Sequence, residues 1–222
     1  MLKFMAAVRR LDHISHDELV HAWEHIHAPH VVSLVKPERY RITFFDPPSD
    51  SADADSRPPD GMAELWFRDR EHFETTIGRQ APPNIDADKF STYATIQPGC
   101  NLFVTEHLNV DGPTTRDSTK LTFFIKRRQG IERAHLDDYW LNVHVPNVVA
   151  AINNTPDAVR YSVDLVDLDD AERERACDGV AQICIDHPNA TFADIQGYEP
   201  DGFGELVEPM LVCSGYEVRI VD

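Results

Sequence analysis

An internal repeat constrains the fold of this chain more than any other feature. The segment LVHAWEHIHAPHVV (19–32) aligns with LDDYWLNVHVPNVV (136–149). The identical pairs include Trp23/Trp140, His27/His144 and Pro29/Pro146. The similarity continues in the same order on both sides of these segments, so chance does not explain it. The sequence therefore predicts a tandem duplication, with one repeat at residues 1–112 and the other at residues 119–222.

Four further pairs of segments support the duplication. They are KFMAAVRR (3–10) with LTFFIKRR (121–128), RYRITFF (39–45) with RYSVDLV (160–166), DGMAELWF (60–67) with DGVAQICI (178–185), and VTEHLNV (104–110) with GYEVRIV (215–221). In each repeat we predict the order strand, helix, strand, strand, helix, strand. Ser15 and Glu18 predict a capping box at the first helix. The second helices are predicted to follow the third strands, near Phe73 and Phe192.

The predicted order of elements is that of the ferredoxin-like split βαβ motif. In such a unit the helices cover one face of the sheet, and the other face needs a separate cover. We therefore predict an α+β protein in which two ferredoxin-like repeats pack sheet to sheet as an intramolecular α+β barrel. Residues 46–60 are rich in Pro, Asp and Ser, which predicts a solvated loop, with a mobile lid as the alternative.

The composition excludes several classes of function. The chain has 21 Lys and Arg against 38 Asp and Glu, a formal net charge of −17, and no basic stripe that would bind nucleic acid. No apolar run approaches the length needed to span a bilayer, and the arginines follow the apolar N-terminal stretch, whereas in a signal peptide they precede it. We expect a cytoplasmic protein that binds neither nucleic acid nor membranes. An anionic substrate would need a local cationic pocket.

The motif Trp-x3-His-x-Pro, followed by Arg-Tyr on the next predicted strand, resembles the EthD-like branch of the dimeric α+β barrel superfamily. Residues 136–149 are the closer match and residues 19–32 the looser one. Relatives in this superfamily include muconolactone-type isomerases, cofactor-free monooxygenases, polyketide cyclases, dehydratases and some haem proteins. The resemblance implies a pocket between sheet and helices, and chemistry without an organic cofactor. Single-copy members usually dimerise, so a duplicated chain should hold two pockets, and a homodimer of such pseudo-dimeric chains is compatible with it.

Six of the eleven histidines lie between His13 and His30. Only His27 has a histidine as its counterpart, which is His144. His21 and His25 are four apart and could chelate a metal ion, but no third ligand is evident, so we predict no metal site. A structural role for His27 and His144 remains open. Histidine also titrates near neutral pH and suits acid–base catalysis. The additional histidines favour the first repeat as the active one.

The candidate site residues follow from these arguments. A histidine and a tyrosine could move a proton while an arginine binds a carboxylate through two hydrogen bonds. The predicted catalytic residues are His25, His27, His30, Tyr40 and His144. The predicted substrate-binding residues are Arg39, Arg41, Trp66, Tyr139, Arg160 and Tyr161. For the tyrosines and Trp66, ordinary packing is the alternative.

These residues predict a cofactor-independent isomerase that acts on a small unsaturated carboxylate or lactone, such as an aromatic ring-cleavage product. A histidine would remove a proton next to a carbonyl group, and Tyr40 with Arg39 or Arg41 would hold the resulting enolate. The alternatives are a non-catalytic small-molecule-binding module and a cofactor-free monooxygenase or dehydratase. A haem- or oxygen-using enzyme on the same fold is a further alternative, because an axial histidine is available in either repeat.

Overall fold

The computed structural model of the protein describes residues 1–47, 57–77, 84–167 and 175–222. The chain divides into two compact units. The first unit comprises Met1–Phe103 and Val218–Asp222, and the second unit comprises Val104–Glu217. Most of the predicted loop at residues 46–60 lies outside the described residues. None of the helices formed by the described residues is long and apolar enough to cross a membrane.

The first unit begins with a strand and one continuous helix made of three segments. Its elements, in chain order, are β1 (Leu2–Arg10), α1 (His16–Ala22), a π-helical segment (Trp23–His27), α2 (Ala28–Val35), β2 (Arg39–Phe45), β3 (Gly61–Phe67), α3 (Arg70–Thr76), a 3-10 turn (Phe90–Thr92) and β4 (Ala94–Asp111), which continues into the second unit. The predicted helix near Phe73 is confirmed by α3.

The second unit repeats this order up to its third strand. Its further elements are β5 (Thr119–Ile125), α4 (Arg133–Tyr139), a π-helical segment (Trp140–His144), α5 (Val145–Asn153), β6 (Ala158–Val166), β7 (Gly179–Ile185), a 3-10 turn (Phe192–Asp194), α6 (Phe203–Leu206) and β8 (Leu211–Val221). The predicted helix near Phe192 is wrong. Pro188 precedes it, Asn189 has a left-handed φ of 59°, and the chain forms only the short turn.

The protein has a mixed α+β fold with an eight-stranded antiparallel barrel. Its strands hydrogen-bond in the order β1-β3-β2-β8-β5-β7-β6-β4. In the first unit β3 pairs with both β1 and β2, and in the second unit β7 pairs with both β5 and β6. The predicted α+β class and the barrel within one chain are confirmed. The description of the chain as two ferredoxin-like repeats stays a prediction.

The first helix starts as the sequence predicts and continues further than expected. The Ser15 hydroxyl accepts from the Glu18 backbone N–H at 3.2 Å, and the Ser15 N–H donates to the Glu18 carboxylate at 2.7 Å. A proline in the interior of a helix usually ends or kinks it. Instead, the Ala28 N–H donates to the Trp23 carbonyl, which closes the π-helical turn. Pro29 therefore enters the first turn of α2, where a missing N–H leaves no hydrogen bond unmade.

Each unit packs a tryptophan directly on the backbone of a strand. A Cβ atom at Gly61 would lie 2.9 Å from the Trp23 ring. A Cβ atom at Gly179 would lie 2.8 Å from the Trp140 ring. Both distances are too short for a non-bonded carbon contact, so the Asp-Gly start of β3 and of β7 requires glycine for packing rather than for a turn.

One pair of aligned segments is shifted relative to the sequence alignment. The Arg10 N–H and Nε each donate to Asp60 at 2.9 Å. The Arg127 N–H and Nη1 each donate to Asp178 at 2.8 Å. Arg10 therefore corresponds to Arg127 and not to Arg128, and the alignment of β1 with β5 was wrong by one residue. In a strand such a shift exchanges the two faces of the sheet.

Candidate functional site

The strongest candidate site in the first unit is a histidine–aspartate pair. His27 ends the π-helical segment, and its Nδ1 lies 2.8 Å from the Asp88 carboxylate. The imidazole stacks on the Phe90 ring, with 4.0 Å between the ring centroids and 7° between the planes. Within the described residues, Nε2 of His27 has no hydrogen-bond partner. Because an ionised carboxylate only accepts, Nδ1 carries the proton and Nε2 presents its lone pair.

The second unit contains the same arrangement. His144 Nδ1 lies 2.9 Å from the Asp201 carboxylate, and the His144 ring stacks on Phe203 at 4.1 Å with 13° between the planes. Asn147 also donates to this carboxylate, at 2.9 Å. Nε2 of His144 likewise has no partner within the part of the chain that the structure describes. The two units therefore hold two closely similar histidine–aspartate–phenylalanine clusters.

A short turn fixes the aspartate and the phenylalanine of each cluster. The Asp88 carboxylate accepts from the Phe90 N–H at 3.2 Å, across Lys89, whose φ of 61° is left-handed. In the second unit the Asp201 carboxylate accepts from the Phe203 N–H at 3.0 Å. The residue between them is a glycine with a φ of 92°. In each carboxylate, one oxygen thus accepts from the backbone N–H of the phenylalanine, and the other bonds Nδ1 of the histidine.

The electrostatics of both clusters favour neutral histidines. Burial lowers the pKa of His27, and the hydrogen bond and charge of Asp88 oppose this only in part. Burial lowers the pKa of His144 in the same way, against the opposing effect of Asp201. Both imidazoles are therefore neutral at pH 7. A neutral imidazole with an orienting carboxylate at Nδ1 can act as a general base through Nε2.

The predicted tyrosines lie beside these clusters but differ between the units. Tyr40 is buried, and its hydroxyl accepts from the Trp23 indole N–H at 3.1 Å. The equivalent groups of the second unit are the Tyr161 hydroxyl and the Trp140 indole N–H. Both are buried, and the indole N–H acts on the hydroxyl as a donor, but the two groups lie outside regular hydrogen-bond geometry. Burial raises the pKa of both phenols, so both are neutral.

The predicted substrate-binding arginines of the first unit lie elsewhere. The guanidinium groups of Arg39 and Arg41 lie 5.2 and 5.4 Å from the centre of the Trp66 ring. The Lys3 ammonium group lies over the same ring at 4.6 Å. Alternate residues of a strand point to opposite faces, and Tyr40 points towards Trp23 on the helical side. The structure therefore separates the tyrosine from the arginines that the sequence hypothesis combined with it.

The additional histidines of the first unit are peripheral to the cluster. The His25 side chain is exposed, and its ring lies 5.2 Å from that of His21. His30 Nε2 bonds the Asn84 carbonyl oxygen at 2.8 Å. Asn147 takes the position of His30 in the second unit. Within the described residues, no group of three or more His, Cys, Asp and Glu side chains could hold a metal ion.

The remaining candidates of the second unit have different positions. The Tyr139 hydroxyl donates to the Asp201 backbone carbonyl, so it supports the turn. Arg160 is buried and pairs with Cys184 in the register of β6 and β7, on the opposite face of β6 from Tyr161. Tyr198, which was not predicted, is half-buried, and its ring lies 6.1 Å from the His144 ring.

Sequence reasoning missed four residues of the two clusters: Asp88, Phe90, Asp201 and Phe203. A signal for them exists, because DKF (88–90) and DGF (201–203) share the pattern Asp-x-Phe in the same part of each repeat. The pattern is short and lies between segments that align poorly. It becomes meaningful only when both copies are seen to bond the repeated histidine.

Comparison with known proteins supports the fold. Residues 11–93 match the model of the EthD domain. No curated protein matches the chain at a significant level. A provisionally assigned monooxygenase from Fusobacterium nucleatum subsp. nucleatum has a similar structure, with a TM-score of 0.57 and 7% identity over 97% of this chain and 91% of that one.

Two further similar structures carry the name chlorite dismutase. A variant from Candidatus Nitrospira defluvii has a TM-score of 0.55 and 11% identity, over 99% of this chain and 92% of that one. A provisionally assigned chlorite dismutase has a TM-score of 0.53 and 10% identity, over 99% and 95% of the two chains. At these identities the likeness concerns the fold alone. The chain thus combines an EthD-domain match over residues 11–93 with a fold shared by proteins named as enzymes.

Proposed function

We propose that the protein is a cofactor-independent isomerase that moves a proton on a small unsaturated carboxylate or lactone. One observation carries this proposal: each unit holds a neutral histidine whose Nδ1 is bonded to a carboxylate and whose Nε2 has no partner within the described residues. This is the arrangement of a general base that can also return the proton as an acid. The proposed substrate is a small molecule, not a nucleic acid or a membrane.

The proposed reaction needs one residue that both takes and gives a proton. Nε2 of the histidine removes a proton from the carbon α or γ to a carbonyl group. The aspartate stabilises the imidazolium ion that forms and keeps the ring in position. The proton then returns to a different carbon of the dienolate, which shifts the double bond. A rotation about the single bond of the dienolate before this return would give a cis–trans isomerisation.

Aromatic rings surround the base in both units. Phe90 covers one face of His27 and contacts Trp23 at 5.6 Å between ring centroids. Phe203 covers one face of His144 and contacts Trp140 at 5.3 Å. Aromatic rings next to the base lower the local dielectric constant, and this strengthens the polar interactions of a bound substrate. They also suit a flat, unsaturated molecule such as a ring-cleavage product of an aromatic compound.

The test is a proton-exchange assay in D2O followed by NMR. Purified protein is incubated with a panel of unsaturated carboxylates and muconolactone-type lactones. We expect deuterium incorporation or a shifted double bond, and its loss in the variant that combines His27→Gln with His144→Gln. His25→Gln is the matched control, because His25 is exposed and lies outside both clusters. Turnover that survives in the double variant would contradict the proposal.

An oxygen-dependent reaction is a second candidate. The structural likeness to a provisionally assigned monooxygenase favours it. A base that removes a proton from an electron-rich phenol would prepare it for direct reaction with oxygen, without an isomerisation. Oxygen consumption with a phenolic substrate and no exchange with lactones would support this candidate. The absorption spectrum of the purified protein tests the haem alternative, and ligand binding without chemical change would indicate a binding module.

We also propose that the chain arose by tandem duplication of an EthD-like unit, with repeats at residues 1–112 and 119–222. The two clusters support this origin, because His27 and His144 have the same partners in the same order. The pairs Arg10–Asp60 and Arg127–Asp178 and the glycine contacts of Trp23 and Trp140 support it as well.

A further inference from the structure

A second polar side chain lies beside His144 and is not used by the cluster. The Tyr198 ring stands nearly perpendicular to the His144 ring, with 6.1 Å between the centroids and 82° between the planes. Within the described residues the Tyr198 hydroxyl has no hydrogen-bond partner, and it is not enclosed by the protein. Solvent therefore reaches a hydroxyl that the packing of this ring does not require.

The imidazole of His144 is accessible as well. The Asp201 carboxylate bonds Nδ1, and the Phe203 ring covers one face. These two contacts leave the opposite face of the imidazole and the edge that carries Nε2. The His144 side chain keeps 15% of its surface exposed. A small molecule can thus approach Nε2 without displacing any member of the cluster.

The electrostatics connect the Tyr198 hydroxyl to the same cluster. Burial and the charge of Asp201 raise the pKa of Tyr198. The hydroxyl is therefore within reach of the carboxylate that holds His144, and it keeps its proton at neutral pH. A protonated phenol donates a hydrogen bond to a nearby oxygen atom and leaves the role of base to the imidazole.

An exposed aromatic ring extends the surface around Tyr198. Phe192 is 36% exposed, and its ring lies 5.2 Å from the Tyr198 ring, with 73° between the planes. Phe192 packs in turn on Phe123 at 5.7 Å. Tyr198 thus lies between an exposed apolar ring and the base. A flat conjugated molecule that packs on Phe192 would place a polar end at the Tyr198 hydroxyl.

The first unit has the base without this donor. Tyr198 stands three residues before Asp201, and Ile85 stands three residues before Asp88. Within the described residues, Phe90 is the one aromatic side chain whose ring contacts His27. The aligned position is therefore apolar in the first unit and carries a hydroxyl in the second.

We propose that Tyr198 donates a hydrogen bond to the carbonyl oxygen of the substrate while His144 moves the proton, so that the second unit is the active one. This inference rests on the proposed function and narrows its substrate to a flat, neutral unsaturated lactone or ketone. Among the described residues, no cationic side chain acts on His144 or on Tyr198. A carboxylate at this position would meet the charge of Asp201 without a counter-charge.

The proposed step is balanced without any further reactant. Nε2 of His144 takes a proton from the carbon α or γ to the carbonyl group, and the electron pair of the C–H bond moves into the conjugated system. The negative charge develops on the carbonyl oxygen, where the Tyr198 O–H stabilises it. The imidazolium N–H then gives the proton to the other carbon, and the carbonyl double bond forms again. No atom is oxidised or reduced overall.

The first test is the binding of coumarin, a flat unsaturated lactone that contains no saturated carbon and therefore has no proton to move. Full-length protein is titrated with coumarin labelled with 13C at the carbonyl carbon, and calorimetry and carbon NMR follow the binding. A hydrogen bond to the carbonyl oxygen moves the carbonyl carbon signal downfield. We expect saturable binding with such a shift. Tyr198→Phe should abolish most of the shift and weaken binding about threefold, the effect of one lost hydrogen bond at a half-exposed site.

The phenylalanine variant separates a hydrogen bond from packing. It keeps the ring contacts with His144 and Phe192 and removes only the hydroxyl. Tyr93→Phe is the matched control, because Tyr93 is also half-buried but belongs to the first unit, and it should change neither the shift nor the affinity. The inference is wrong if coumarin does not bind, or if the carbonyl signal shifts equally in the unchanged protein and in Tyr198→Phe.

Kinetics with a β,γ-unsaturated γ-lactone give the second test. Tyr198→Phe should lower kcat by about 10²-fold, the lower end of the effect of one lost oxyanion donor, because water reaches this site. KM should rise only about threefold, since the charge on the carbonyl oxygen develops after binding. An unchanged kcat in Tyr198→Phe would overturn the inference.

The two tests also separate this inference from the proposed function. Deuterium exchange in D2O that is lost in His144→Gln but unchanged in Tyr198→Phe would keep the isomerase and overturn the role of Tyr198. A coumarin shift that depends on Tyr198, without exchange on any unsaturated lactone, would keep the binding role and contradict the isomerase. Exchange that is lost in both His144→Gln and Tyr198→Phe is the expected result.

Discussion

The two units carry the same histidine–aspartate–phenylalanine cluster and differ in the geometry of the tryptophan and tyrosine next to it. In the first unit the tryptophan and the tyrosine bond each other. In the second unit the same residue types are buried and interact with each other outside regular hydrogen-bond geometry. The first unit is the richer in histidine, but those additional histidines lie at the surface or bond a loop. The number of histidines therefore does not by itself identify the active unit.

The base itself is the sharpest way to test which unit is active. If the second unit is the active one, His144→Ala should lower kcat by about 10²–10⁴-fold, the usual contribution of a general base, and His27→Ala should retain most of the activity. Steady-state kinetics with an unsaturated lactone measures both, and circular dichroism checks the fold of each variant. Loss of activity in His27→Ala with retention in His144→Ala would reverse the assignment.

The aspartates test whether the orientation of the base differs between the units. Asp201→Asn should lower kcat by about 10–100-fold, because the imidazole loses the acceptor that fixes its tautomer. The neutral form of His144 is the active one, and its pKa is lowered by burial. Activity should thus rise with pH and reach half its maximum below the usual histidine value of about 6.5.

The same pH profile supplies its own control. Asp201 raises the pKa of His144 against the effect of burial, so Asp201→Asn should move the acid limb to still lower pH. Asp88→Asn should leave the profile unchanged if the second unit is the active one. If the acid limb of the pH–activity profile moves only in Asp88→Asn, the reaction takes place in the first unit.

Stability distinguishes the two tyrosines without any substrate. Tyr40→Phe should lower the free energy of unfolding by about 1–3 kcal/mol, because it leaves the buried Trp23 indole N–H without an acceptor. Tyr161→Phe removes a hydroxyl that interacts with the Trp140 indole N–H outside regular hydrogen-bond geometry, so the loss should be smaller, about 0.5–1 kcal/mol. Urea unfolding measures both variants. Equal losses would show that the Tyr161 hydroxyl is bonded after all.

Salt gives the smallest expected effect. The chain has a formal net charge of −17, so it repels anionic substrates. Raising the ionic strength from about 0.01 to 0.15 M shortens the screening length from about 30 to 8 Å and should raise kcat/KM for a carboxylate a few-fold. The value for a neutral lactone should stay constant. A fall in kcat/KM with salt for the carboxylate would indicate a locally cationic entrance.

Much of the fold was predictable because it depends on local and repeated patterns. Ser15 and Glu18 form the predicted capping box, and the predicted strands of both repeats are present. Two local expectations failed for physical reasons. Pro29 does not end its helix, because the π-helical turn before it places the proline in a first turn. Phe192 starts no α-helix, because the chain before it is left-handed at Asn189.

The candidate site was predictable only in part. His27 and His144 could be found because they repeat. Asp88 and Asp201 lie far from them in sequence, and their partnership depends on tertiary structure. The hypothesis that Tyr40 and the arginines bind one substrate overlooked the alternation of side chains along β2. This alternation places Tyr40 and Arg41 on opposite faces of the sheet. The looser geometry of the Trp140–Tyr161 pair has no sequence signal, because both repeats contain the same two residue types.

The π-helical segments have a consequence for protein engineering. Each is a helix that carries one residue more per turn than an ordinary α-helix, and each ends at a histidine of a cluster. A designer who regularises the first helix by imposing α-helical hydrogen bonds on the same residues would remove the wide turn but keep its additional residue. Every later side chain would then rotate by about 100° about the helix axis, which is one residue step. The histidine would then point away from its aspartate, so idealising this helix would remove the site that it carries.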